Sequence, residues 1–198
     1  MALKSWTRTA AGFAAILAVG AFGVGALSVT AFAHAPHVHG LARLTVTVHE
    51  DILVIALESP LDNLVGFEHA PRTAAQRAAL EGLVHTLENP SALFSPPAAA
   101  GCTASVVTLE SPVLTAMAKA DRAHADEDEN ERERDEHVHA DLLAEFTFHC
   151  ARPQHLDSIN VNLFVPFPRL ERINAEVATA EVQTAARLDV RNTLLRWR

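Results

Sequence analysis

Between Arg8 and His34 the chain carries no charged side chain, and this decides which residues are available to fold. Lys4 and Arg8 lead into a run of Ala, Gly, Val, Leu and Phe that closes on Ala31-Phe32-Ala33. A basic start, an apolar middle and a small-x-small end are the marks of a secretory signal cut after Ala33. Left uncut, the run is long enough to anchor in a bilayer. The placement of the Ala-x-Ala site favours cleavage, and no cysteine follows it to carry a lipid. The expected organisation is a signal peptide over residues 1–33 and a single α+β domain over residues 34–198. Loss of Lys4 and Arg8 takes the net charge from −8 to −10.

An exported, acidic chain excludes some functions. No basic surface is available to displace counterions from phosphates, which argues against nucleic acid as a partner. Tyrosine is absent and aromatics are only 6%, so a stacking platform for bases or sugars is disfavoured. Once the signal is removed, no stable membrane insertion is expected. Cys102 and Cys150 are the only cysteines. An even count in an oxidising compartment favours one disulfide. Two thiolate metal ligands are the alternative, which no C-x-x-C spacing supports.

Periodicity gives the elements. Leu44, Val46 and Val48 alternate with threonines, and Ile52–Leu57 is a second apolar run after Glu50-Asp51. Together they predict a β-hairpin. A loop is expected over Leu61–Pro71. Thr73 stands three residues before Gln76 in a capping-box spacing. Leu80, Leu83, Val84 and Leu87 share one helical face, and Asn89-Pro90 stops it. This is the one clear helix, at about residues 73–88. A Pro/Ala-rich connector, a short strand at Ala104–Leu109, and strands at Leu142–His149 and Ile159–Val165 follow. Residues 172–196 alternate as a strand would, though a helical face also fits them. Residues 119–140 hold nine acids and three arginines but no aliphatic core, and read as a solvated, disordered insert. The fold class is α+β, mainly antiparallel sheet with one helix and a long acidic insert.

The 11 histidines carry the chemistry. His37-Val38-His39 directly precedes the first strand, and His137-Val138-His139 precedes the strand that begins near Leu142. In extended chain, residues i and i+2 point to the same side, so each His-Val-His presents two imidazoles together. Neutral imidazole is a favoured ligand of zinc, copper and nickel. His34 and His124 lie upstream of the two pairs, and Asp126, Asp135, Glu136 and Asp141 can add carboxylates. Glu68 and His69 form a further candidate in the loop before the helix. A tetrahedral zinc site needs three or four such groups. Zinc is the first expectation. Copper is second, since only Met117 would remain as a thioether ligand after cleavage. Enzyme signatures are missing: there is no H-E-x-x-H, no G-x-S-x-G and no phosphate loop. His137-x-His139-x-Asp141 opens like a binuclear hydrolase motif, but Leu142 stands where another histidine is needed. The chain is expected not to be an enzyme.

Several stretches together resemble the ZrgA-like, zinc-regulated periplasmic proteins of Gram-negative bacteria. They are His37-Val38-His39-Gly40, Ser59-Pro60, and the run Asn63-Leu64-Val65-Gly66-Phe67-Glu68-His69-Ala70-Pro71. Cys102, the charged insert, Phe148-x-Cys150-x-x-Pro153, Leu163-Phe164, Phe167-Pro168 and Leu195-x-Trp197 complete the set. The resemblance implies periplasmic zinc binding, components of a zinc uptake transporter as partners, and a metal-binding histidine-rich insert. Here that insert holds only His124, His137 and His139 among mostly Glu, Asp and Arg, which departs from the family pattern.

The expected function is a periplasmic accessory protein that captures or buffers Zn2+ for an uptake system. Its candidate ligands are His37, His39, His137, His139, His124, His69, Glu68 and His34, with Cys102 and Cys150 bridged. The alternative is a docking or structural domain whose histidines are incidental.

Overall fold

The computed structural model describes residues 38–123 and 140–198. All of these belong to one compact unit, Pro36–Arg198. The expected signal, His34, His37, His124, His137 and His139 lie outside the described residues.

Alternation builds the main sheet. β1 (Leu41–His49) turns at Glu50-Asp51 into β2 (Ile52–Pro60), with Glu50 in the left-handed region at φ 54°. Leu44 pairs with Leu57 and Val46 with Ile55, which puts the apolar residues of both strands on one face. β5 (Asp141–Cys150) pairs antiparallel with β2 and adds Leu142, Ala144, Phe146 and Phe148 to the same face. β4 (Cys102–Glu110) pairs with β5 at one edge, with a bulge between Ala104 and Val106. On the other side, β7 (Arg172–Ala178) runs parallel to β1, and β8 (Gln183–Leu188) closes that edge. The order is β4-β5-β2-β1-β7-β8. One parallel pairing makes the sheet mixed rather than purely antiparallel. β1 has one edge taken by β2, and β7 arrives over a long connection that can deliver it in either direction.

A smaller antiparallel sheet is formed by β3 (Phe94–Ser95), β6 (Ser158–Val161) and β9 (Leu194–Arg196). Residues 172–196 therefore hold three strands, β7, β8 and β9, joined by turns, and no helix. The rings of Phe94 and Phe146 sit 5.0 Å apart and tilted, joining the small sheet to the large one. Phe164, Phe167, Leu195 and Trp197 fill the same continuous core.

Among the described residues, four α-helices accompany the sheets. α1 (Leu61–Val65) is one turn, α2 (Ala74–Leu87) is the long helix, α3 (Pro90–Leu93) is short, and α4 is Pro112–Ala123. The Thr73 hydroxyl caps α2 by accepting from the Gln76 N–H, as the spacing predicts, and Leu80, Leu83 and Leu87 are buried.

Several sequence expectations change. The strand expected at Ile159–Val165 stops at Val161, where β6 ends and the chain turns. The loop expected from Leu61 opens as α1. The strand expected at Ala104–Leu109 runs the full Cys102–Glu110. A further unexpected helix, α4, extends through residues 119–123, where the insert was taken to have begun. Its apolar side is only Val113, Leu114 and Met117, packed on the core. That is too few positions to stand out beside the acidic run that follows.

Candidate functional site

The sheet has two unlike ends. At one end lie the Glu50-Asp51 turn and a disulfide between Cys102 and Cys150, which face each other across β4 and β5. At the other end β1 and β5 both begin, on either side of β2. Asp141 pairs with Pro60. The register of β1 on β2, continued from Arg43–Glu58, brings Leu41 level with the same proline. β7 also starts here, with Arg172 opposite Leu41.

Backbone hydrogen bonds join the segments that flank these strand ends. The Leu61 N–H donates to the Ala140 carbonyl at 3.0 Å. The Glu171 and Arg172 N–H groups both donate to the Gly40 carbonyl, at 2.8 and 2.9 Å. Gly40 holds φ 78°, and a Cβ there would come within 3.0 Å of the Glu171 side chain, so this turn requires glycine.

Asn63 fixes that turn from the α1 side. It is buried, and its Oδ1 accepts from the Gly40 N–H at 2.6 Å. Its Nδ2 donates to the Leu41 carbonyl at 3.0 Å and to the Ser59 hydroxyl at 3.2 Å. Three of the amide's four hydrogen-bonding positions are thereby used.

The neighbouring residue holds the histidine itself. His39 Nδ1 lies 2.9 Å from Asp62 Oδ2. Arg169 Nη2 donates to Asp62 Oδ1 and Oδ2 at 3.0 and 2.9 Å, and Arg169 Nε donates to the Asp62 carbonyl at 2.9 Å. The Arg169 hydrogen bond holds the Asp62 carboxyl below the ordinary carboxylate range; partial burial pulls the other way, and His39 adds to the lowering. An ionised carboxylate only accepts, so Nδ1 carries the proton and a neutral His39 keeps its lone pair on Nε2. The His39 side chain is 69% exposed, whereas that of Asp62 is 14% exposed.

The remaining candidates are placed as follows. His69 follows the α1 C-cap Gly66, its Nδ1 bonds the Ala70 carbonyl at 2.8 Å, and its ring lies 5.3 Å from Phe67. Glu68 beside it is half-buried. Asp141 opens β5. Cys102 and Cys150 are bonded to each other, which excludes them as thiolate ligands. Among the described residues, no three His, Cys, Asp or Glu side chains come together to hold a metal ion. The histidine set is thus represented in the described structure by His39, bonded to Asp62, and His69, bonded to the Ala70 carbonyl. Asp126, Asp135 and Glu136 lie outside the described residues.

Sequence reasoning missed Asp62, Arg169 and the task of Asn63. Asn63 opens the most specific run, and Asp62 precedes it, so proximity to that run was a usable signal. Arg169 lies 107 residues from Asp62 with no local pattern to announce it.

No helix among the described residues is long and apolar enough to cross a membrane. A comparison with curated proteins finds no match. A family model described as ZrgA family zinc uptake protein matches residues 36–197, nearly all of the sequence after the apolar N-terminal stretch. With His37-Val38-His39-Gly40, the Asn63–Pro71 run, both cysteines and Trp197 inside that span, the chain belongs to the ZrgA family of zinc uptake proteins.

Proposed function

We propose that this protein is a non-enzymatic periplasmic zinc-binding accessory protein, which captures or buffers Zn2+ and passes it to an uptake transporter. Zinc is its cargo. His39 is the ligand anchored on the folded domain. His37, His137 and His139 supply the others, with His124, His34, Glu68 and His69 as weaker contributors.

The observation that carries this reading is the His39–Asp62 hydrogen bond. Metal-binding histidines characteristically donate their second ring N–H to a carboxylate or carbonyl, which sets the tautomer and raises ligand basicity. Here the arrangement exists on an exposed imidazole in a family of zinc uptake proteins.

Sheet register adds support. Each His-Val-His ends two residues before a level strand start, Leu41 or Asp141, on either side of β2. Those starts are two strand spacings apart, about 9.5 Å. Two histidine side chains can span that distance to reach one ion. A delivery protein also benefits from an incomplete ligand set, because an open position lets the metal leave.

Isothermal titration with Zn2+ at neutral pH tests the reading, comparing residues 34–198 with a variant carrying Ala at His37, His39, His137 and His139. Submicromolar binding lost in the variant is expected. Equal, weak binding by both proteins, each folded, would make the histidines incidental and leave a docking domain. Zinc affinity is also expected to fall between about pH 7 and 5 as the imidazoles protonate. Constant affinity across that interval would rule out histidine ligands.

A further inference from the structure

We infer that Asp62 and Arg169 are positioning residues for zinc capture: Asp62 fixes the tautomer and direction of His39, and Arg169 locks Asp62, so that Nε2 is the atom offered to the metal. The inference rests on the reading of His39 as a zinc ligand and goes beyond it, because it assigns a role to two residues that do not touch the ion.

One guanidinium grips Asp62 at two places. Its Nη2 reaches both carboxylate oxygens and its Nε reaches the main-chain carbonyl of the same residue. That leaves the carboxylate little freedom to rotate away from His39. Arg169 is itself held from below. Phe167 and Leu170 on either side of Pro168-Arg169 are buried, and the Leu170 N–H donates to the Phe167 carbonyl at 3.0 Å. The turn therefore aims Arg169 outward toward α1.

The backbone at His39 is fixed separately through Asn63 and Gly40. With the main chain held and Nδ1 engaged by Asp62, Nε2 is the ring nitrogen left to present. The Asp62 carboxylate is engaged by His39 and Arg169 together, which suits an outer-layer group rather than a ligand. Lysine at position 169 would keep the charge but lose the two-point grip.

The first test needs no variant. Two-bond 1H–15N spectra of the metal-free protein at alkaline pH report the His39 tautomer. Nδ1–H is expected. Nε2–H would overturn the inference.

Zinc competition titrations then compare Asp62→Ala and Arg169→Gln, each made alone and in a His39→Ala background. Each single change is expected to weaken zinc binding by roughly 10–100-fold, the range for outer-layer partners of metal histidines. In the His39→Ala background neither should weaken it further, because the group they position is gone. A merely structural Arg169–Asp62 pair would give the same loss in both backgrounds and refute the assignment. Zinc binding unchanged by His39→Ala would remove the ligand reading and this inference with it. A loss on His39→Ala with no effect of Asp62→Ala or Arg169→Gln would remove the positioning role alone. Arg169→Lys retains the charge, and recovery of full affinity with it would show that the two-point grip is not needed.

Discussion

Replacing Asn63 by alanine removes one side chain but strands groups on two other segments. The Gly40 N–H, buried and bonded to Oδ1 at 2.6 Å, is left without its acceptor. An unsatisfied buried donor costs about 1–3 kcal/mol. The Leu41 carbonyl loses the amide donor at 3.0 Å in a partly buried setting, which adds about 0.5–1 kcal/mol. Ser59 keeps its bond to the Pro60 carbonyl and contributes little to the loss. The expected destabilisation is about 2–4 kcal/mol, a large share of the roughly 5–15 kcal/mol that holds a domain of this kind together. With a urea dependence of about 2 kcal/mol per molar, the unfolding midpoint should fall by roughly 1–2 M at unchanged slope. Asn63→Asp sharpens the test. It preserves shape and the acceptor for Gly40, but removes both donated bonds and places a charge at a site that is only 1% exposed. If the hydrogen bonds decide, Asp is also strongly destabilising. A midpoint within roughly 0.3 M of the parent for either variant would refute the reasoning.

Other consequences follow from the same structure. Cys102→Ala with Cys150→Ala opens a loop of 48 residues and should cost about 4 kcal/mol under the chain-entropy model. Because β4 is an edge strand with mostly exposed side chains, its amides should exchange faster before those of β2 do; unchanged β4 protection would contradict this. Gly40→Ala forces a left-handed alanine against Glu171 and should lower stability by about 1–2 kcal/mol in thermal unfolding. Gly82→Ala, exposed within α2 with no atom within 4 Å of the added carbon, should raise it by about 0.5–1 kcal/mol. The carboxyl of Asp62 is shifted below its ordinary 3.8, so its contribution to stability is fully present above that pH and is lost as pH falls through the lower native value. Acid titration of Asp62→Asn should show a shallower loss of stability than the parent below about pH 4, and identical slopes would exclude the contribution.

Much of the fold was legible because its signals are local. Alternation in Leu44-Val46-Val48 and Ile52–Leu57 predicted the hairpin, since side chains that alternate must choose faces together. Thr73 and Gln76 marked the start of α2, because capping chemistry lies within one turn. α4 escaped notice because Val113, Leu114 and Met117 are few, and the acids beyond them dominate the composition. The direction of β7 was also out of reach. Ile173, Ala175 and Val177 bury equally well in either orientation, and only the register against β1 shows the pairing to be parallel.

The candidate site divides the same way. Residue types along the chain identified the apolar N-terminal stretch, the two cysteines and the paired histidines, because each is a matter of composition or short spacing. That Cys102 faces Cys150, that β1 and β5 begin level at one end, and that Asp62 and Arg169 close around His39 are products of register and chain return. Asp62 and Arg169 meet across 107 residues because β7 is placed beside β1, and no local spacing encodes an encounter of that kind. Sequence alone determined which groups can carry the chemistry. Tertiary structure decided which nitrogen of His39 faces outward, because that depends on a carboxylate and a guanidinium brought together by packing.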